Sequence, residues 1–372
     1  MLGQLEATDA PLPPILCRQA MHLLPYGLAL DDAWPTVSRL FVLLAPKLEQ
    51  AGYRTEWCNY LERGIALSQH HNDPLVEAEL SLQLGYLLQL RGHLAEACKV
   101  YARSIEQFTS AQQRQKLAKV LNRYAFVLWL LNRFEEVPQL LAQVQMLLPD
   151  TDPELSATYS VWGWLAFSHR QWDESLAQFE KALAVAEQNG SPRQTARCLR
   201  DCANVLQMKG HYEQAIIYYE QAIHRLDTLQ DSFEKAVAQM NLGTVYLQAE
   251  QPAKALTHYQ QALIIFTTLN DPIHLAHLYT NVGIMHRHLG QYQESKQSLV
   301  MSSRLWERLE NVDLLINATA ELGLTYLAEK NPRQAYQVFC SAQEYLPALQ
   351  GHPTYEYRKA KIDAYVKEVT AT

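Results

Sequence analysis

Several things are scarce in this chain of 372 residues, and each scarcity removes a class of function. Cations are outnumbered, 32 Lys and Arg against 39 Asp and Glu, giving a net charge of -7. A protein that tracks a nucleic-acid backbone needs clustered positive charge, so direct nucleic-acid binding is not expected. The six cysteines, Cys17, Cys58, Cys98, Cys198, Cys202 and Cys340, contain no CxxC pair and are mostly far apart. They read as reduced core thiols of a cytosolic protein. No apolar run approaches the roughly 20 residues of a membrane span, and MLGQLEATDA has neither the basic start nor the apolar stretch of a secretion signal. The expected location is cytoplasmic, with no membrane partner. GxxxxGK[ST], GxSxG and HExxH do not occur. His274, His277, His286 and His288 lie close together, but no acidic or Cys ligand shares their helix face, and His286 is expected in a buried aromatic slot. Neither metal nor cofactor nor enzymatic activity is expected.

What is present is a repeat. A small residue recurs at Ala45, Gly85, Ala125, Gly163, Ala203, Gly243, Gly283 and Gly323, with gaps of 40 residues except for one of 38. A period of that size indicates stacked supersecondary units rather than one compact core. The segment from Asp231 to Asn270 shows the unit: Asp231 and Glu234 make a capping-box pattern, and Leu242, Gly243 and Tyr246 form one helical stripe. Pro252 then opens a second helix whose stripe is Ala255, Tyr259, Ala262 and Leu263. Small residues at Gly243, Ala255 and Ala262 let two antiparallel helices approach closely. Asp73, Asp152, Ser191 and Asp271 each precede a proline and are expected helix caps.

The series Gly85, Ala97, Tyr101, Ser104 recurs as Gly163, Ser175, Phe179, Ala182, as Ala203, Ala215, Tyr219, Ala222, and as Gly323, Ala335, Phe339, Ala342. This pattern resembles the tetratricopeptide repeat (TPR), in the long variant of about 40 residues seen in kinesin light chains, bacterial peptide-sensing regulators and MalT-like sensor arrays. The resemblance implies an all-α fold, an α-solenoid winding as a right-handed superhelix of about eight antiparallel helix pairs between capping helices. The expected divisions are a cap over 1–32, repeats over 33–72, 73–112, 113–150, 151–190, 191–230, 231–270, 271–310 and 311–350, and a capping helix over 351–372. Two units depart from the pattern. Pro46 falls inside a helix and Trp57 replaces a small residue in the first; Val137 and Val144 replace Ala in the third, with Pro138 in a first helical turn.

The resemblance also implies which residues line a concave groove: those six, three and two before the small marker and one, four and five after it. That frame places Tyr86, Phe126, Trp129, Trp164 and Phe167 on the inner surface of units two to four, while Trp162 takes a core position. Such aromatics either pack against neighbouring helices or anchor a partner. Further on, the groove positions hold Arg197, Arg200, Asn204, Asn241, His277, Asn281 and Arg287. In related peptide-binding proteins an Asn two residues before the marker grips peptide backbone, the role implied for Asn241 and Asn281. Lys119, Arg123, Arg197, Arg200 and Arg287 against Asp201 leave a local excess of +4 over units three to seven, reduced to +2 over the whole inner surface by Arg39, Glu49, Glu79 and Glu321. That excess favours a partner with carboxylates or a free C-terminus, unless the cations pair within the chain, as Arg200 or Arg197 could with Asp201.

The expected function is a non-enzymatic scaffold or adaptor that binds a peptide or helix of a partner protein in this groove. Two other readings stand beside it: a peptide- or protein-sensing regulatory module, and a self-assembling structural subunit.

Overall fold

The computed structural model describes residues 14–50, 53–352 and 354–370. The start of the expected N-terminal cap, with Pro11 and Pro13, lies outside them. Every regular element among the described residues is helical. The chain divides into two compact units, one formed by the residues up to His211 together with Gln221–Ser232, the other by Tyr212–Glu220 together with the residues from Phe233 onward.

A local rule generates both units. A residue with left-handed backbone recurs at steps of 20 residues, at Asn72, Gly92, Gln112 and Asn132, and again from Arg170 through Gly190, Gly210, Gln230, Glu250, Asn270, Gly290 and Glu310 to Lys330. After each, a backbone N–H reaches back five residues: Asp73 to the Ser68 carbonyl at 2.8 Å, His93 to Leu88 at 2.9 Å, Gln251 to Tyr246 at 2.8 Å. This satisfies carbonyls that the end of a helix leaves open and turns the chain back on itself. The 40-residue period is therefore two 20-residue halves, each a helix of 17 residues and a three-residue turn, as in Pro74–Leu90 followed by Leu94–Ser110.

The interval between Asn132 and Arg170 is the short one. A 3-10 turn at Phe134–Glu136 leads into Val137–Leu147, only 11 residues long, with Pro138 in its first turn as expected. Leu148 is extended, and the next helix is Leu155–Ser168. Asp152 accepts from the Glu154 N–H at 2.9 Å, so it organises the turn before that helix rather than capping its first turn. Asp73 and Asp271 do cap, accepting from Val76 and His274 backbone N–H at 3.1 and 3.0 Å. Ser191 makes no side-chain cap bond, which corrects the expectation for that site.

Within each unit consecutive helices pack as antiparallel neighbours, for example Trp172–Gln188 against Leu155–Ser168, and Tyr292–Arg308 against Pro272–His288. The small marker makes the contact possible. A Cβ on Gly163 would fall 2.6 Å from the Phe179 ring, and one on Gly243 would fall 2.6 Å from the Tyr259 ring; both rings are fully buried. Where the marker is Ala45 or Ala125, the residue sixteen further on is Leu61 or Leu141, so volume added on one helix is removed from the other. Gly283 with Leu299 and Ala203 with Tyr219 do not follow this exchange. Polar small residues in these seams are satisfied: Ser175 donates to the Gly163 carbonyl at 2.9 Å and Ser295 to that of Gly283 at 2.7 Å.

In the first unit Pro46 lies within Trp34–Gln50, and Trp57 is fully buried, stacked on Phe41 at 5.3 Å. In the second unit the last helix, Tyr355–Thr370, is tied down by a bidentate pair, with Arg358 Nε and Nη2 at 2.7 and 2.8 Å from the Asp313 carboxylate. Burial alone would raise the Asp313 carboxyl, but hydrogen bonds from Arg358 and Thr354 outweigh it and hold the group below the usual carboxylate range. Lys359, Lys367 and Glu368 face water, whereas Lys361 is half-buried with its ammonium over the Tyr365 ring.

Candidate functional site

The expected groove residues of the first unit sort into two clusters. Helix Arg114–Leu130 carries Phe126 and Trp129 three residues apart on one face, and Leu155–Ser168 carries Trp164 and Phe167 in the same relation. Stacking the two helices brings all four together: Phe126 to Trp129 at 5.2 Å, Trp129 to Trp164 at 5.2 Å and Trp164 to Phe167 at 5.3 Å between ring centroids. Trp172, at the start of the following helix, continues the ladder 5.1 Å from Phe167. It lies outside the groove frame, which counts only positions on the first helix of a pair. These rings are partly packed and partly open. Trp164 meets the buried Phe179 ring at 5.2 Å, and Phe126 and Trp129 pack on the core around Ala125 and Leu141. Yet none of the five rings is fully covered, and Leu130 beside Trp129 is exposed. The Trp129 indole N–H donates to the Ser168 hydroxyl at 2.7 Å, fixing the edge of the ladder. Trp162 is half-buried against the same core cluster.

Tyr86 does not join the ladder. The Arg123 guanidinium lies 4.1 Å from its ring centroid, and Arg197 Nη2 donates to its hydroxyl at 3.2 Å. Helices Pro74–Leu90, Arg114–Leu130 and Pro192–Met208, the first helices of the second, third and fifth repeats, thus meet at one side chain. A second tie lies nearby: Arg193 Nε donates to Asp231 at 2.5 Å, and Arg193 Nη1 lies 3.4 Å from the buried Glu49, 144 residues away. The sequence frame missed Arg193, which sits in the first helical turn, ahead of the positions it counts. Arg200 Nε is 3.8 Å from Asp201, the intrachain pairing that the sequence offered as an alternative. Asn204 is half-buried on the same helix. Beside these, Cys198 and Cys202 are fully buried; burial pushes the Cys198 thiol up to about 11 and raises Cys202 as well, so neither is a reactive thiolate.

In the second unit Asn241 and Asn281 occupy equivalent, half-buried positions, and Asn281 lies 3.4 Å from the Thr244 hydroxyl. Arg287 is held by Glu321, to its carboxylate at 2.7 Å and its backbone carbonyl at 2.9 Å. His277 packs edge-on to Trp306 at 4.7 Å, and burial drives its pKa down to about 4. His286 is half-buried and bonded to Gln291 at 2.6 Å, not sunk in a core slot as expected. Among the described residues no three His, Cys, Asp or Glu side chains come together as metal ligands would. No helix among them is long and apolar enough to cross a membrane.

Repeated helix pairs with this turn and marker geometry define an α-solenoid. Tetratricopeptide repeat models match residues 155–227 and 236–274. The chain is a protein of the tetratricopeptide-repeat type. Similar solved structures include the Rap protein complexed with competence and sporulation factor, 13% identical with a TM-score of 0.57, over 90% of this chain and 99% of that one. The signal transduction ATPase with a tetratricopeptide repeat sensor from Pyrococcus horikoshii is 13% identical with a TM-score of 0.60, over 85% and 49% of the two chains. NprR in complex with its cognate peptide NprX is 14% identical with a TM-score of 0.53, over 76% and 86%. At these identities the likeness is one of fold. The Tonsoku-like protein of Mus musculus is 25% identical over 136 residues, 37% of this chain. The matched stretch spans about a tenth of that relative's length.

Proposed function

We propose that the chain is a non-enzymatic protein-interaction scaffold, and that the ladder Phe126, Trp129, Trp164, Phe167 and Trp172 is where a partner peptide or helix docks. The single observation that supports this most is the unbroken run of rings at 5.1 to 5.3 Å, incompletely covered, across three helices. Apolar aromatic area left in water is costly, and such rings are where interface energy concentrates. Arg123, Arg197 and Arg287 already have partners within the chain, so a carboxylate-bearing partner would have to displace them. Apolar contact is accordingly the main source of affinity, with Asn241 and Asn281 proposed as backbone contacts. NprR, of similar fold, is complexed with a cognate peptide, and this favours a short peptide as the occupant and a sensing role as the second reading.

The test is capture from the native extract. Wild type and Trp129→Ala/Phe167→Ala, both checked for native circular dichroism, are compared. Loss of a specifically captured protein in the variant is expected; identical captured sets would refute the ladder as the docking surface.

A further inference from the structure

A cavity of about 470 Å³ in the first unit lies where successive helices begin, apart from every ladder residue. Its walls include Glu79, Lys116 and Lys119 from two adjacent repeats, Asp152 and Glu154 from the next, and Gln194 from the one after. Glu79 is ion-paired with Lys116. Asp152 and Glu154 are different. Asp152 is only 7% exposed and accepts from the Glu154 N–H at 2.9 Å and, weakly, from Gln115 at 3.5 Å. One oxygen of the Glu154 carboxylate accepts from Asn122 at 2.9 Å, and Thr158 donates to the Asn122 carbonyl oxygen at 3.1 Å behind it. Among the described residues neither carboxylate has a cation at ion-pair distance, Lys119 and Arg123 acting on Glu154 only from further off, although the start of Leu155–Ser168 offers both a modest helix-end attraction.

A recessed carboxylate with no direct ion pair is an expensive feature. Burial pushes the Glu154 carboxyl above its ordinary range, and the Asn122 bond and the charges of Lys119 and Arg123 offset this only in part. The Asn122 and Thr158 bonds hold Glu154 in one orientation, as a binding site requires. Two adjacent acceptors in a walled cavity match a guanidinium or ammonium group, which would supply the missing charge and donors.

We propose that this cavity receives a cationic side chain, Arg or Lys, of a bound polypeptide, with Asp152 and Glu154 as its acceptors. The polypeptide source rests on the scaffold reading above; the preference for a cation does not. The partner thus inserts a positive charge here, whereas the groove's own arginines are satisfied from within.

The experiment is saturation-transfer NMR on the full chain with N-acetyl amides of arginine, lysine, glutamine and glutamate as probes. The arginine or lysine probe is expected to bind at least about tenfold more tightly than the glutamine probe. Asp152→Asn/Glu154→Gln should abolish that preference, and Lys119→Gln, a change at an exposed side chain, should strengthen it about threefold by removing a nearby like charge. Native circular dichroism of each variant separates lost binding from lost fold. Equal binding of charged and neutral probes, preference for glutamate, or full retention in the double variant would overturn the proposal. Trp129→Ala/Phe167→Ala leaves the cation preference intact, so failure of the ladder reading is a separate result.

Discussion

Replacing Gly163 by Ala tests the packing rule that builds the repeats. The new Cβ would lie 2.6, 2.7 and 2.9 Å from three atoms of the Phe179 ring. That ring is fully buried and pressed edge-on by Trp164, so it has no room to withdraw. Overpacking of this kind costs about 1–3 kcal/mol. Ala is better than Gly within a helix by about 1 kcal/mol, which offsets part of the cost. The expected net loss is about 1–2 kcal/mol, read as a lower urea midpoint by circular dichroism. The partner change Phe179→Leu creates the Ala and Leu combination already present at Ala125 and Leu141. In the double variant most of the loss should return, with a coupling energy of about 1 kcal/mol or more. A Gly163→Ala variant as stable as wild type, or a double variant no better than the sum of the singles, would refute the steric account.

Three further outcomes follow from other parts of the molecule. Arg358→Ala should lower hydrogen-exchange protection of Tyr355–Thr370 about tenfold, since breaking such a pair costs about 1–3 kcal/mol. Because the folded Asp313 pKa lies below its unfolded value near about 3.9, the pair's contribution is present above that pH and is lost as pH falls through the folded value. Exchange measured down to pH 3 would show it. Glu250→Gly should stabilise by about 0.5–1 kcal/mol, because Glu250 holds a φ of 58° that glycine adopts without strain; a lower urea midpoint would count against it. Cys198 and Cys202 should resist thiol reagents at pH 8 until the chain unfolds, while half-exposed Cys340 reacts first. Their raised thiol pKa values make them stabilising below the unfolded thiol pKa of about 8.5, and that contribution is lost as pH rises above it.

The helices and turns were legible in the sequence because they are set locally: the marker spacing, first-turn prolines and capping residues repeat in register. Ser191 misled because a serine before a proline marks a helix start whether or not its hydroxyl turns inward to cap. His286 misled for a related reason, since its slot belongs to the core only when the residue is apolar. The site was legible in part. The groove frame implied by the resemblance put Phe126, Trp129, Trp164 and Phe167 at matching positions, and the structure stacks them across adjacent repeats. The meeting of Arg123 and Arg197 on Tyr86, and of Arg193 with Glu49, depends on the small rotation between successive repeats, added over several of them. Residue spacing does not encode that rotation. Trp172 was missed because it lies on the second helix of a pair, where the groove frame assigns no positions, and Asp152 was read only as a helix cap.

The most direct test of the ladder as a docking surface places a photo-crosslinking amino acid at exposed Leu130, next to Trp129, and at exposed Ile264 in the second unit as a control. After irradiation in native extract, a partner adduct is expected at position 130 and none at 264. Adducts at both positions in equal yield, or at 264 alone, would contradict the account.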